Sequence, residues 1–147
     1  MCIIIDANCL GAVFNSSDGA FAEDGEPIHK WLRKGGKLVY YTEGKFKDEI
    51  RGQARLQLQK YRRRGLAKLP PETAFNNALH EVEAKKHLLQ SDDTHVLALA
   101  KATGVRVLFT RDKNLMNDFK NKAIIDPPGR IYSSKRNANL LHRNTCP

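Results

Sequence analysis

Short all-apolar runs alternate with stretches of helical periodicity along this chain. Ile3-Ile4-Ile5 has no polar face, the signature of a strand buried on both sides. Asn8 is placed to N-cap a short helix carrying Leu10, Val13 and Phe14. A turn-rich loop over 15–19 follows, and Pro27 suits the first turn of a helix through Ile28, Trp31 and Leu32 that Gly35-Gly36 stops. Residues 37–41 have the β-favouring content of a second strand. The spacing of Phe46, Ile50, Leu56, Leu58 and Tyr61 predicts one long helix over 45–64, weakened modestly by Gly52 and ended by Gly65. Pro70-Pro71 breaks the chain before a helix over 72–89. Asp92 or Asp93 begins the next helix, which Gly104 closes. A third strand is expected over 106–110, a short helix over 115–119 and a short strand over 123–125. The Pro127-Pro128-Gly129 turn then leads into Arg130-Ile131-Tyr132 and a polar tail with Leu140 and Leu141.

Strands alternating with helices argue for an α/β fold with a mainly parallel sheet. At 147 residues, with no repeat or linker, the chain is expected to form a single domain over 1–147.

Two of the apolar runs end on a carboxylate. Ile5 leads into Asp6, and Val107-Leu108-Phe109-Thr110-Arg111 leads into Asp112, while Ser91-Asp92-Asp93 opens a helix. Acids just past the carboxyl ends of parallel strands lie where α/β sheets build their sites. Glu49 completes the best set of four: Asp6, Glu49, Asp93 and Asp112. Carboxylates gathered there repel one another and call for a divalent cation; oxygen-only ligands suit Mg²⁺ or Mn²⁺. Each acid also has a plain alternative. Asp93 and Asp112 could cap helices, and Glu49 could be a solvated residue among Lys45, Lys47 and Arg51. Asp6 is harder to dismiss, because a carboxylate ending a buried strand needs a partner. The joint occurrence carries the case.

The order Ile-Ile-Asp6-Ala-Asn8, Glu49-Ile50, Asp92-Asp93-x-His95-Val96-Leu97-Ala98-Leu99-Ala100 and Leu108-Phe109-Thr110-Arg111-Asp112 resembles the PIN-domain nucleases, between Ile3 and Phe119. The resemblance implies an α/β/α fold with a core over 1–125 and a C-terminal strand and basic tail over 126–147. It implies a Mg²⁺/Mn²⁺-dependent endoribonuclease, in the manner of VapC-like toxins, with RNA as substrate and an antitoxin or a second copy as partner. Asp6, Glu49, Asp93 and Asp112 would be the metal-binding and catalytic acids, and Thr110 would orient an acid or the water. Many relatives carry a further acid where this chain has Asn114, with Asp118 the nearest substitute.

Charge strengthens the nucleic-acid reading. Lys+Arg 25 against Asp+Glu 16 gives a formal net charge of +9, which favours polyanions. Arg51, Arg55, Lys60, Arg62, Arg63 and Arg64 crowd one segment; they are expected to hold a phosphate backbone without reading sequence. The alternative is a solvated face. Lys135, Arg136 and Arg143 offer a second patch. Tyr40, Tyr41 and Trp31 are expected in the core, and His95, two residues past Asp93, is expected to point away from it. No apolar run approaches the ~20 residues of a bilayer span. The N-terminus lacks a leader pattern, and Cys2, Cys9 and Cys146 form no CxxC pair, so a cytoplasmic, reduced protein is expected. Competing functions are a catalytically silent PIN-like RNA-binding or scaffold module and a receiver-type phosphoacceptor. The latter wants an acidic pair after its first strand, where this chain has the lone Asp6.

Overall fold

The computed structural model describes residues 2–141. Its centre is a five-stranded, all-parallel sheet in the order β3-β2-β1-β4-β5, flanked by helices as an α/β/α domain. The strands are β1 (Cys2–Ile5), β2 (Lys37–Val39), β3 (Ala67–Lys68), β4 (Val107–Phe109) and β5 (Arg130–Tyr132). Every residue of β1 and β4 is buried, as a strand with helices on both faces requires. The chain starts at the centre, steps outward to β3, then returns to the other side of β1. Strand order therefore reverses between β1 and β4, and the crevice at their carboxyl ends is the natural place for a site.

Helices make the crossovers. α1 (Leu10–Phe14) and α2 (Glu26–Arg33) link β1 to β2, with a π-helical turn at Phe21–Gly25 between them. Gly25 is needed there, since a Cβ would lie 1.6 Å from the Ala12 carbonyl oxygen. α3 (Lys45–Glu49) and α4 (Gly52–Arg63) link β2 to β3. α5 (Glu72–Ala84) and α6 (Thr94–Thr103) link β3 to β4, and α7 (Lys113–Lys120) precedes β5. Gly104 closes α6 in the left-handed conformation at φ 72°, as the pattern predicts.

Several expectations are corrected. The single helix over 45–64 is two: Ile50 and Arg51 are extended and Gly52 has φ +59°, so the chain turns between α3 and α4. The second strand ends at Val39, and β3 is an additional strand of two residues. Residues 123–125 form a turn in which Asn121 Oδ1 accepts the Ala123 amide, although Ile124 and Ile125 are buried. The helix over 72–89 stops at Ala84, with a 3-10 turn at Lys86–Leu88. Asn8 does not cap α1; it lies in a 3-10 turn at Ala7–Cys9. Cys9 is a free, buried thiol but Cys2 is disulfide-bonded. An odd cysteine count rules out full pairing without ruling out one pair. Among the described residues, no helix is long and apolar enough to cross a membrane. Arg143 and Cys146 lie outside the described residues.

Candidate functional site

The ladder between β1 and β4 builds the first part of the site. Ile5 stands opposite Phe109, and the Asp6 amide continues the pairing by donating to the Phe109 carbonyl at 2.9 Å. That register sets Asp6 beside Thr110. The Thr110 hydroxyl donates to Asp6 Oδ2 at 2.8 Å, and its oxygen accepts the Asp112 amide at 3.1 Å. Thr110 is fully buried.

The second part comes from α3 and α6. Ligand atoms of Glu49, Asp93 and His95 lie within 4.8 Å of one another. Asp93 is the N-cap residue of α6 but makes no side-chain cap bond. Its carboxylate instead accepts from Lys45 Nζ at 3.2 Å, and the same ammonium lies 3.7 Å from Glu49 Oε1 and 3.5 Å from the Asp92 carbonyl. Asp92 is exposed. Burial alone would lower the Lys45 pKa, but the bond to Asp93 and the charges of Asp93, Glu49 and Asp92 outweigh it and raise the value.

His95 faces the cluster, against expectation. Its Nε2–H donates to Glu49 Oε2 at 2.8 Å. Residues two apart on a helix diverge, but Asp93 precedes the helix with ψ 48°, so that rule does not relate the pair. The imidazole is 5% exposed and packs edge-on against Phe46 at 4.6 Å. Its Nδ1 is the one buried side-chain polar atom without a hydrogen-bond partner among the described residues. An Nε2–H tautomer accounts for this, leaving a bare nitrogen, not an unpaired N–H, against the apolar wall.

Asp6 links the two parts electrostatically. Its pKa is raised above 3.8, first by burial and then by the charges of Asp93 and Glu49, with Thr110 and His95 acting in the opposite direction. Asp6 and Asp112 stand outside the 4.8 Å group. Asp112 Oδ1 caps α7 by accepting the Asn114 and Leu115 amides at 2.9 and 3.2 Å. The plain alternative thus describes Asp112 and not Asp93. Asp118, weighed as an extra acid, is buried and accepts the Gln90 amide, the Ser91 amide and the Ser91 hydroxyl at 2.8–2.9 Å. It holds the loop that leads into Asp93.

The donor set fits a small divalent cation. Carboxylates of Glu49 and Asp93 come together from two elements, both raise the Asp6 pKa, and the counter-charge beside them is a lysine that the chain itself supplies. His95 makes the set less purely oxygen than the sequence suggests, but its Nε2 is already committed to Glu49. It steadies the Glu49 carboxylate, the place a group behind a metal ligand would take.

The basic residues divide by location. Arg55, Lys60, Arg62 and Arg63 are on α4, while Arg51 precedes it and Arg64 follows it. All six are exposed, and none is in an ion pair with a described residue. In the tail patch, Lys135 pairs with Glu23 at 3.0 Å. Tyr40 and Tyr41 are buried, and Trp31 packs on the core. No family model, curated protein or solved structure matches the chain.

Proposed function

We propose that this protein is a Mg²⁺- or Mn²⁺-dependent endoribonuclease of PIN-domain type. The observation that carries the reading is the close grouping of Glu49, Asp93 and His95, with Asp6 at the strand-order reversal near enough to feel both carboxylates, in a chain with net charge +9. An acidic centre in a basic protein suits a cation-assisted reaction on a polyanion.

The cation, when bound, polarises the scissile phosphoryl oxygens and makes water a better nucleophile. Asp6, Glu49 and Asp93 would hold it, and Asp112, whose Oδ1 caps α7, would add a further negative charge beside it. Thr110 orients Asp6, and His95 orients Glu49. Lys45, freed from Asp93 and Glu49, supplies positive charge toward the substrate phosphate. Arg51, Arg55, Arg62, Arg63 and Arg64 receive the flanking RNA backbone.

Purified protein is expected to cut single-stranded RNA with Mn²⁺ or Mg²⁺ and to stop in EDTA. Asp6→Asn or Asp93→Asn should each lower the rate by about 10²-fold or more, while Asp92→Asn leaves it near the parent. Cleavage unaffected by EDTA and by these substitutions would remove the reading.

A second reading, a silent RNA-binding module, is favoured by Lys45 at the acids and by the capping role of Asp112. RNA binding without hydrolysis would select it. As a VapC-like toxin, the nuclease would act in the cytoplasm, alone or self-associated. It would be held in check by an antitoxin that lays a helix on the groove at Leu10, Phe14 and Ala54. Growth arrest by the parent but not by Asp6→Asn tests that role.

A further inference from the structure

A second concavity opens on the carboxyl edge of the sheet, one strand away from Asp6. It lies between Tyr40-Tyr41, just past the end of β2, and one face of α4. Arg55, Leu58, Gln59 and Arg62 are spaced i, i+3, i+4 and i+7, so they form a single stripe along that face. The turn at Ile50–Gly52 makes the cleft: an unbroken helix would carry this stripe on along the axis of α3.

Its floor and rim differ in character. Tyr40, Tyr41, Phe46 and Ile50 are buried and present aromatic and aliphatic surface. Lys47, Arg55 and Arg62 are exposed at the rim, and no carboxylate is among the lining residues. Arg62 lines the cleft together with Tyr40, so its guanidinium stands at the rim above the aromatic floor. An apolar floor under a cationic rim suits a flat apolar body that carries an anion.

The cleft shares a wall with the acids. Phe46 lines it and also packs against His95, which bonds Glu49. The five residues of α3 therefore stand between the cleft and the acids. A flexible polyanion with one phosphodiester at Glu49 and Asp93 would bring its neighbouring unit here.

We propose that this cleft is a nucleotide subsite for single-stranded RNA, taking one base on its floor and the adjoining phosphate on Arg55 and Arg62. A single strand can turn a base out of its stack, whereas a duplex cannot offer one without unpairing. The inference rests on the nuclease reading for the position of the cut, but not for the binding itself.

The test is fluorescence anisotropy of a labelled eight-nucleotide single-stranded RNA with the full chain in EDTA. Gln59→Trp fills the cleft at an exposed position without changing charge. Arg62→Ala removes a rim cation, and Arg130→Ala removes an equal, exposed charge on β5, at the far edge of the sheet. Thermal melts establish that each variant is folded. Gln59→Trp and Arg62→Ala should each weaken binding tenfold or more, and Arg130→Ala less than threefold. Binding by Gln59→Trp as tight as the parent's, or an equal loss in Arg130→Ala and Arg62→Ala, overturns the subsite. Mn²⁺-dependent cleavage is measured separately on the same proteins. A parent that binds through the cleft yet cuts nothing keeps the subsite and removes the nuclease. A parent that cuts, with Gln59→Trp binding and cutting alike, does the reverse.

Discussion

Thr110 and Asp6 are 104 positions apart in the chain and 2.8 Å apart in space, joined by a hydroxyl that donates to a carboxylate. The bond exists because β1 and β4 are neighbours in parallel register. Thr110→Val keeps the shape and removes the donor, so it should cost about 1–2 kcal/mol. It should also drive the Asp6 pKa higher, since the bond opposes the rise. Thr110→Ser should restore both. Urea denaturation and an NMR titration of the Asp6 carboxyl measure the two effects; no change in either would show that the hydroxyl does not support Asp6.

Asp6 also predicts a pH dependence with a definite sign. Its folded pKa is raised above 3.8, by burial first and by Asp93 and Glu49 next. A raised carboxyl favours folding when protonated. That contribution is complete below the unfolded value and is lost as pH rises through the folded one. Ionised Asp6 therefore destabilises the metal-free protein at neutral pH. Asp6→Asn should melt higher than the parent in EDTA at pH 7, with the gain fading toward pH 3.8. Millimolar Mn²⁺ should raise the parent's melting temperature and narrow the difference. A parent that melts above Asp6→Asn at pH 7 in EDTA would contradict this sign.

Lys45 should compete with a divalent cation, because its ammonium lies 3.2 Å from Asp93 and 3.7 Å from Glu49. Lys45→Met should cost the metal-free fold less than about 1 kcal/mol, since the lysine is half exposed and solvent screens its pairs. Affinity for Mn²⁺ should rise by roughly tenfold as the competing charge disappears. Titration of the free-Mn²⁺ EPR signal reads this directly. An equal or weaker affinity would mean that the lysine does not occupy the cation's place.

Asp118 sets the position of Asp93 from a distance. Asp118→Ala abandons two backbone amides and the Ser91 hydroxyl in a buried setting, and should cost about 3 kcal/mol. The loop into Asp93 should loosen as well, so the Mn²⁺-induced rise in melting temperature should shrink. A variant with parental stability would show that the loop holds itself.

The apolar runs made the sheet legible, because a strand covered on both faces has no polar alternation to hide it. The two-residue β3, Ala67–Lys68, has no such run and was invisible. By helix propensity Gly52 is a small penalty, yet the glycine takes φ +59° and divides the helix. Asp6 follows from its strand end, whereas a role for Thr110 beside an acid is implied only by the PIN-domain resemblance. Asp93 and Asp112 look alike in the sequence, each heading a helix, and only tertiary partners separate them: Lys45 draws one away from its helix, and Asn114 and Leu115 hold the other. The position of His95 is not legible from helical spacing, because Asp93 lies outside the helix that carries the histidine.

The parallel sheet has a temporal side. β1 cannot pair with the chain that directly follows it, since no hairpin joins adjacent strands. Its neighbour β4 and the hydroxyl that receives Asp6 lie about a hundred residues downstream, which at ribosomal speeds is roughly 5–20 s of synthesis. A nascent chain that has exposed Asp6, Glu49 and even Asp93 still lacks the strand that orients the first of them. The acid centre is thus withheld until synthesis has passed Thr110, and a fragment released before that residue would carry the basic helix without it.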